Sequence, residues 1–301
     1  MKRAPKPKTA SGKVARKPAP KKKAAAPVRA ATQAAPAKAS KAAVKKTRAS
    51  PKASPDKAQG GRSPSERAEI AKRLARAVPD AVCELRFSAP WELLIATILA
   101  AQSTDKMVNA VMPGLLARYP SPRALAAAAQ EDVEEVVKRT GFYRNKAKAI
   151  RGAAQHLLDH HDGEVPRTIE ALVAVPGVAR KTANVVLGTA YRIAAGFVVD
   201  THVTRVSQRL GLTRETDPVR IEQDLCGGFP RESWVDLGHR FVLHGRYTCL
   251  AKRPECAQCT LNELCPSRLT VSEGSWDTRA DAEAGKVAAS IVDHASIPAI
   301  H

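Results

Sequence analysis

Four cysteines stand close together late in the sequence: Cys249, Cys256, Cys259 and Cys265, spaced C-x6-C-x2-C-x5-C. Thiolates grouped this tightly bind a soft metal centre or pair as disulfides. Structural zinc usually takes two short pairs, and only one C-x2-C pair occurs here. A single short pair flanked by wider loops suits an iron–sulfur cluster better, because four irons and their sulfides fill a larger cage and four-cysteine ligation is the usual mode. Zinc and disulfides stay open as alternatives. Cys83 and Cys226 lie far away among apolar or small neighbours and read as core thiols.

A second set of residues could do chemistry on carbon. Residues 172–187 read LVAVPGVARKTANVVL. A short helix ends, Val175-Pro176-Gly177-Val178-Ala179 turns, and a new helix begins near Arg180, with Pro and Gly as the turn residues. The unpaired N–H groups and the dipole at that helix start favour an anion, and a DNA phosphate meets this need without any base being read. A plain corner between two helices is the alternative. Lys181 sits in the first helical turn, where the dipole disfavours a positive charge, and a desolvated pocket would lower its pKa further. A neutral lysine amine attacks electrophilic carbon and forms a Schiff base; otherwise Lys181 would bind phosphate beside Arg180. Asp200, in Asp200-Thr201-His202-Val203, follows an apolar run and opens a helical pattern, which makes it an N-cap. Facing Lys181, it could also move protons or stabilise positive charge developing on a sugar.

The elements that must position these groups are helices. Ser63-Pro64-Ser65-Glu66 is a capping box with Pro at the first helical position, and Ile70, Leu74 and Val78 then form a stripe. Residues 91–101 are apolar almost all round and predict a buried helix. Further helices are expected over 105–118, 131–139, 145–160, 168–173, 181–193, 201–210, 217–226 and 231–244. Phe197-Val198-Val199 is the best strand candidate and is too short to build a sheet. The fold class is therefore all-α. Residues 268–301 lose the pattern and are expected to form a flexible C-terminal tail, with at most a short helix around 279–292.

Charge is distributed unevenly. The 301 residues carry a net charge of +20, yet residues 1–60 hold 18 Lys and Arg against one acid, Asp56. The other 241 residues hold 31 Lys and Arg against 28 acids. This Ala-, Lys- and Pro-rich segment cannot bury enough apolar surface to fold alone and is expected to be disordered; its charge would attract a polyanion without reading sequence, or merely keep the chain soluble. No run of 18 apolar residues predicts a membrane span, and no apolar core near the start predicts a secretion signal. Reduced thiols suit the cytoplasm of a bacterial cell, near its DNA, with the nucleus as the address in a eukaryote.

Several motifs, taken in order, resemble the endonuclease III family of base-excision repair glycosylases: LAAQSTD at 99–105, GFYRNKA at 141–147, VPGVARKTANVV at 175–186, VDTHVTRV at 199–206, and HGRYTC at 244–249 with the four cysteines. The resemblance covers about residues 62–267. It implies a two-domain helix–hairpin–helix glycosylase fold with a cleft. One domain would be six helices over 83–194, with the hairpin at about 169–188. The other would be discontinuous, 62–82 plus 195–267, and would hold a 4Fe–4S cluster on Cys249, Cys256, Cys259 and Cys265. It implies Lys181 as nucleophile and Asp200 as its assistant. Gln102 would fill the gap left by an extruded base and Phe142 would wedge in beside it. The hairpin residues Gly177 and Ala179 would contact DNA; Arg180, Arg246, Lys252 and Arg253 are candidates for non-specific contact through their charge, with ordinary solvated charge as the alternative for Lys252 and Arg253. Ala179 stands where the hairpin usually has a second glycine, so the turn is expected to be strained or to hold phosphate farther away.

The implied activity is removal of oxidised pyrimidines from duplex DNA, followed by β-elimination at the abasic site through a lysine Schiff base. The partner would be double-stranded DNA with damaged bases or abasic sites, and the protein is expected to act as a monomer with no membrane. An adenine mismatch glycosylase relative and a non-catalytic DNA-binding protein are the alternatives. Lys181 and the short stretch after the cysteines speak against the first, and the pairing of Lys181 with Asp200 against the second.

Overall fold

The computed structural model describes residues 61–295, with side chains to residue 290; the readings made for residues 1–60 lie outside it. Twelve α-helices and no strand are found among the described residues. None of these helices is long and apolar enough to cross a membrane.

Helix α1, Pro64–Ala77, starts on the expected capping box. The Ser63 side chain accepts from the Glu66 N–H, and Glu66 Oε2 accepts from the Ser63 N–H at 2.8 Å. Helix α2, Pro90–Leu99, buries every residue from Leu93 to Leu99, as its all-round apolar sequence requires. Then come α3 (Asp105–Arg118), α4 (Pro122–Ala127), α5 (Gln130–Val137) and α6 (Tyr143–His161). The hairpin is α7 (Ile169–Val173) and α8 (Arg180–Tyr191), followed by α9 (Thr201–Arg209), α10 (Pro218–Gly228) and α11 (Trp234–Tyr247).

Two buried apolar clusters organise these helices. The first runs from Leu85 to Leu187, with α2 packed against both α6 and α8. The second joins Ile70 and Leu74 of α1 to residues from Phe197 to Leu261. Phe197, Phe229 and Phe241 meet at its centre, with ring centroids 5.8–6.4 Å apart. The Phe197-Val198-Val199 run forms no strand; it delivers Phe197 to this core.

Two expectations need correction. Helix α4 was not foreseen: Ser121 caps it and Pro122 opens it, but six residues are too few to show a period. The stretch after Cys265 is not a flexible tail over its whole length, and the short helix expected around 279–292 is present and longer. Residues 276–295 form α12, Trp276–Ala295, which packs on α1 and α11 and buries Ala280 and Val287.

Candidate active site

A cavity of about 290 Å³ is lined on one side by residues of α2 and α8 and on the other by Val198, Asp200 and residues of α11. Lys181 and Asp200 both line it, as do Gln102, Ala179 and Arg246. Residues separated by up to 164 positions in the chain, Val82 and Arg246, are brought to one hollow.

Lys181 enters from the first turn of α8, whose N-cap, Ala179, has no side-chain hydrogen bond to offer. The Lys181 side chain is solvent-exposed. The dry surroundings expected for it are therefore absent in the protein alone, and DNA lying over the mouth would have to supply them. Asp200 is the N-cap of α9, and its Oδ1 accepts from the N–H groups of both His202 and Val203 at 2.8 Å. Oδ2 accepts nothing among the described residues. One oxygen thus fixes the carboxylate in place while the other stays unengaged.

The hairpin turn is built on Gly177, at φ +80°, where a Cβ would lie 3.0 Å from the Ala149 Cβ. Any other residue would be strained both in its backbone and against its neighbour. Ala179 is different. Its φ of −92° and ψ of 168° are extended, so nothing there calls for glycine, and the strain expected of the substitution does not arise.

Gln102 and Phe142 share a property that their types did not announce: both have left-handed backbone, with φ of 54° and 47°. Such a conformation costs a non-glycine residue of order 1 kcal/mol or more and tends to occur at functional sites. Phe142 is 64 % exposed, standing at the N-cap of α6 directly after Gly141 at φ 71°. A buried lysine supports this loop from below: Lys146 Nζ donates to the Thr140 carbonyl at 2.6 Å. Burial pushes the Lys146 ammonium down from its ordinary value.

The four proposed cationic contacts divide into two kinds. Lys252 and Arg253 are exposed in the segment after Cys249. Arg180 and Arg246 are engaged within the protein. The Arg180 guanidinium makes a two-pronged bond to the Glu222 carboxylate, 2.8 and 3.0 Å, which raises its pKa and ties α8 to α10. Arg246 bonds to Glu84 and, at 2.8 Å, to Asp105 in the cavity wall. Burial lowers its pKa. Arg246 thus helps to build the cavity wall, and Arg180 joins two helices.

Sequence reasoning overlooked His239, which also lines the cavity. Burial pushes its imidazole down, so it is neutral near pH 7 and offers one donor and one acceptor. Burial likewise pushes the Cys83 thiol in the wall up to about 11, so it is no rival nucleophile at neutral pH. Cys226 is pushed to about 11 by the same cause, in keeping with a core thiol.

Cys249, Cys256, Cys259 and Cys265 line a second, smaller cavity of about 70 Å³ together with Arg209 and His244. Donors point at the sulfurs: Arg209 Nη1 to Cys249 at 3.3 Å, the Leu261 N–H to Cys259 at 3.4 Å and the Leu269 N–H to Cys256 at 3.5 Å. Burial pushes the Cys249 thiol up, but hydrogen bonding and charge from His244 and Arg209 outweigh it and bring the pKa down. Among the described residues, no three His, Cys, Asp or Glu side chains form a group for a single metal ion. Helix α9 braces the segment. Arg205 donates to the carbonyls of Gly245 and Cys249, and Arg209 to those of Leu250 and Ala251.

Endonuclease III from Synechocystis sp. is 51 % identical to this chain over 199 residues, which cover 66 % of this chain and 91 % of that protein. The chain belongs to the endonuclease III family. The Escherichia coli (strain K12) endonuclease III is 42 % identical over 201 residues, 67 % of this chain and 95 % of its own length. A profile described as HhH-GPD superfamily base excision DNA repair protein matches residues 95–231, the stretch that holds the hairpin, Lys181 and Asp200. The solved structure of a trapped endonuclease III–DNA covalent intermediate, 40 % identical, superposes with a TM-score of 0.66 over 68 % of this chain and 97 % of its own. Membership of this family accounts for an all-helical fold in which the hairpin lysine lines an open hollow.

Proposed function

We propose that this protein excises oxidised pyrimidines from duplex DNA and then cuts the abasic strand by β-elimination, with Lys181 as nucleophile and Asp200 as its assistant. Base-excision repair by a combined glycosylase and lyase is the activity of the endonuclease III family. The observation that carries the residue assignment is the shared cavity: one amine at the start of a helix and one carboxylate capping another, facing a single hollow with Gln102 at its edge. The relative caught as a covalent DNA intermediate supports an enzyme that bonds to its substrate.

Free N–H groups at the start of α8, approached closely at Gly177 and Ala179, would hold a DNA phosphate. Lys252 and Arg253 would add charge without reading sequence. Gln102 and Phe142 would enter the duplex as the damaged base leaves the stack, since C1′ beside a stacked base is out of reach. The Lys181 lone pair attacks C1′ while the bond to the base breaks, and the base departs with the bonding electrons and takes up a proton. Ring opening gives an imine. Removal of a 2′ hydrogen then expels the 3′ phosphate oxygen, the strand breaks, and water releases Lys181. Asp200 Oδ2 either stabilises positive charge on the sugar or accepts the amine proton.

The cysteine cavity fits a 4Fe–4S cluster in its donor set: four thiols around one hollow, with N–H donors on three of the sulfurs. When bound, the cluster would cross-link the Lys252–Arg253 segment into a stiff loop rather than take part in redox chemistry. We also propose that the two apolar clusters correspond to two domains, 83–194 and 62–82 with 195–267, closing on DNA as a monomer.

Borohydride added during turnover on duplex DNA containing an oxidised pyrimidine tests the central step. Wild type should yield a covalent protein–DNA adduct, and Lys181→Ala should yield none. An adduct of undiminished yield with Lys181→Ala would reject the assignment.

A further inference from the structure

Helix α12 lies beyond every motif of the resemblance, and its polar side chains converge on the cysteine loop. Arg279 is buried. Its Nε donates to the Cys259 carbonyl at 2.9 Å and its Nη1 to the Gly274 carbonyl at 2.6 Å, while Nη2 bonds to the Glu263 carboxylate. Glu263 also accepts from Arg73 of α1 at 2.6 Å. One turn further along α12, Glu283 bonds to Nδ1 of His244, with both side chains almost wholly buried. His244 Nε2 in turn lies 3.9 Å from Cys259 Sγ. Lys286 then reaches Glu255 and, at 3.2 Å, Gln258, on either side of Cys256. Positions 279, 283 and 286 fall on one face of a helix. At the near end, the Trp276 carbonyl accepts from Thr260 Oγ1 at 3.2 Å, and its ring lies under the Arg73 guanidinium at 4.9 Å.

A helix that only covered apolar surface would need Ala280 and Val287 and little else. Burying an arginine and a histidine–glutamate pair is costly unless the groups are partnered; here the partners of Arg279 and of Glu283 Oε1 belong to the loop or to the segments on either side of it, and Glu283 Oε2 alone has none among the described residues. The loop has need of them. Between Leu250 and Cys265 it contains only two single turns of 3-10 helix, Cys256–Gln258 and Asn262–Leu264. Its carbonyls must find donors elsewhere.

We infer that α12 is a clamp on the cysteine loop, in which Arg279, Glu283 and Lys286 are positioning residues that hold Cys256 and Cys259 in ligating geometry. The inference concerns the loop's order, and through the cluster reading of the proposed function it extends to retention of iron.

The test uses the full chain, compared with Glu283→Gln, Arg279→Lys and the pair combined; the first is isosteric and the second keeps its charge. Two readouts are taken: hydrogen exchange of the amides between residues 250 and 264, and the rate at which a chelator removes iron and visible absorbance. The expected result is exchange in that loop about tenfold faster in the double variant, with α2 and α8 amides unchanged. Iron loss should accelerate in step. Loop exchange equal to wild type overturns the clamp, and so does an acceleration spread evenly over α2 and α8, which would mean general loss of stability. Wild type free of iron and acid-labile sulfide, with loop exchange still quickened by the variants, would reject the cluster and leave the clamp standing.

Discussion

Asp200 serves two ends with one carboxylate, and substitution can separate them. Asparagine caps a helix about as well as aspartate. Asp200→Asn should therefore melt near the wild-type temperature while base excision slows by about 10²-fold or more. Asp200→Ala should lose the same activity and about 1 kcal/mol of stability besides; thermal melts and single-turnover excision compare the two. Gly177→Ala should cost about 1–2 kcal/mol, because its Cβ would meet Ala149 at 3.0 Å on a left-handed backbone. Urea unfolding checks this. The places of Lys181, Asp200 and Gly177 at a helix start, an N-cap and a turn were legible because each announces itself by type within a short motif. Arg180 and Arg246 were not. Their partners, Glu222 and Glu84, stand 42 and 162 positions away, and no local pattern reveals a distant carboxylate.

At the scale of elements, capping chemistry read true and periodicity read true where helices were long. The α1 cap makes a sharp prediction. A hydrogen bond from the Ser63 backbone, then Arg62 and the Ser63 hydroxyl, hold the Glu66 carboxyl well below the usual carboxylate range, at about 2. A depressed folded pKa means a contribution fully present above the unfolded value of about 4.3 and lost as pH falls through about 2. The melting temperature of Glu66→Ala should thus lie below wild type at pH 7, and the gap should close between about pH 5 and pH 2. Helix α4 and the docking of α12 show where the sequence runs silent, although a helix was expected around 279–292, inside α12. The first has six residues and no room for a stripe. The second keeps its burial to small or paired side chains, such as Ala280, Arg279 and Glu283, which read as surface until α1 and the cysteine loop are set beside them. Left-handed backbone at Gln102 and Phe142 carried no signal in either residue type. Only the Gly141 before Phe142 hinted at it.

Over the whole molecule, the charge sits far from the chemistry in sequence. Residues 1–60 carry 18 Lys and Arg and one acid, all ahead of α1. Removing them should leave single-turnover excision at saturating enzyme unchanged, yet reduce the slope of log affinity against log salt by several units, since each phosphate neutralised contributes about 0.9. Fluorescence anisotropy on an undamaged duplex at stepped salt measures it. An unchanged slope would assign the tail no part in DNA binding. The position of the cavity was not legible, because it depends on long-range packing that brings α2, α8 and α11 together.

Helix α9 joins the two hollows end to end. Asp200 stands at its first turn, and Arg205 and Arg209, further along, grip the carbonyls of Cys249, Leu250 and Ala251. A rod of nine residues is about 14 Å long. Pivoting it by some 5° at the gripped end would swing the other tip by about 1 Å, a displacement that can cost a reaction roughly 10²-fold. The seat of the thiols is thus geared to the aim of the carboxylate, and slack in one becomes error in the other.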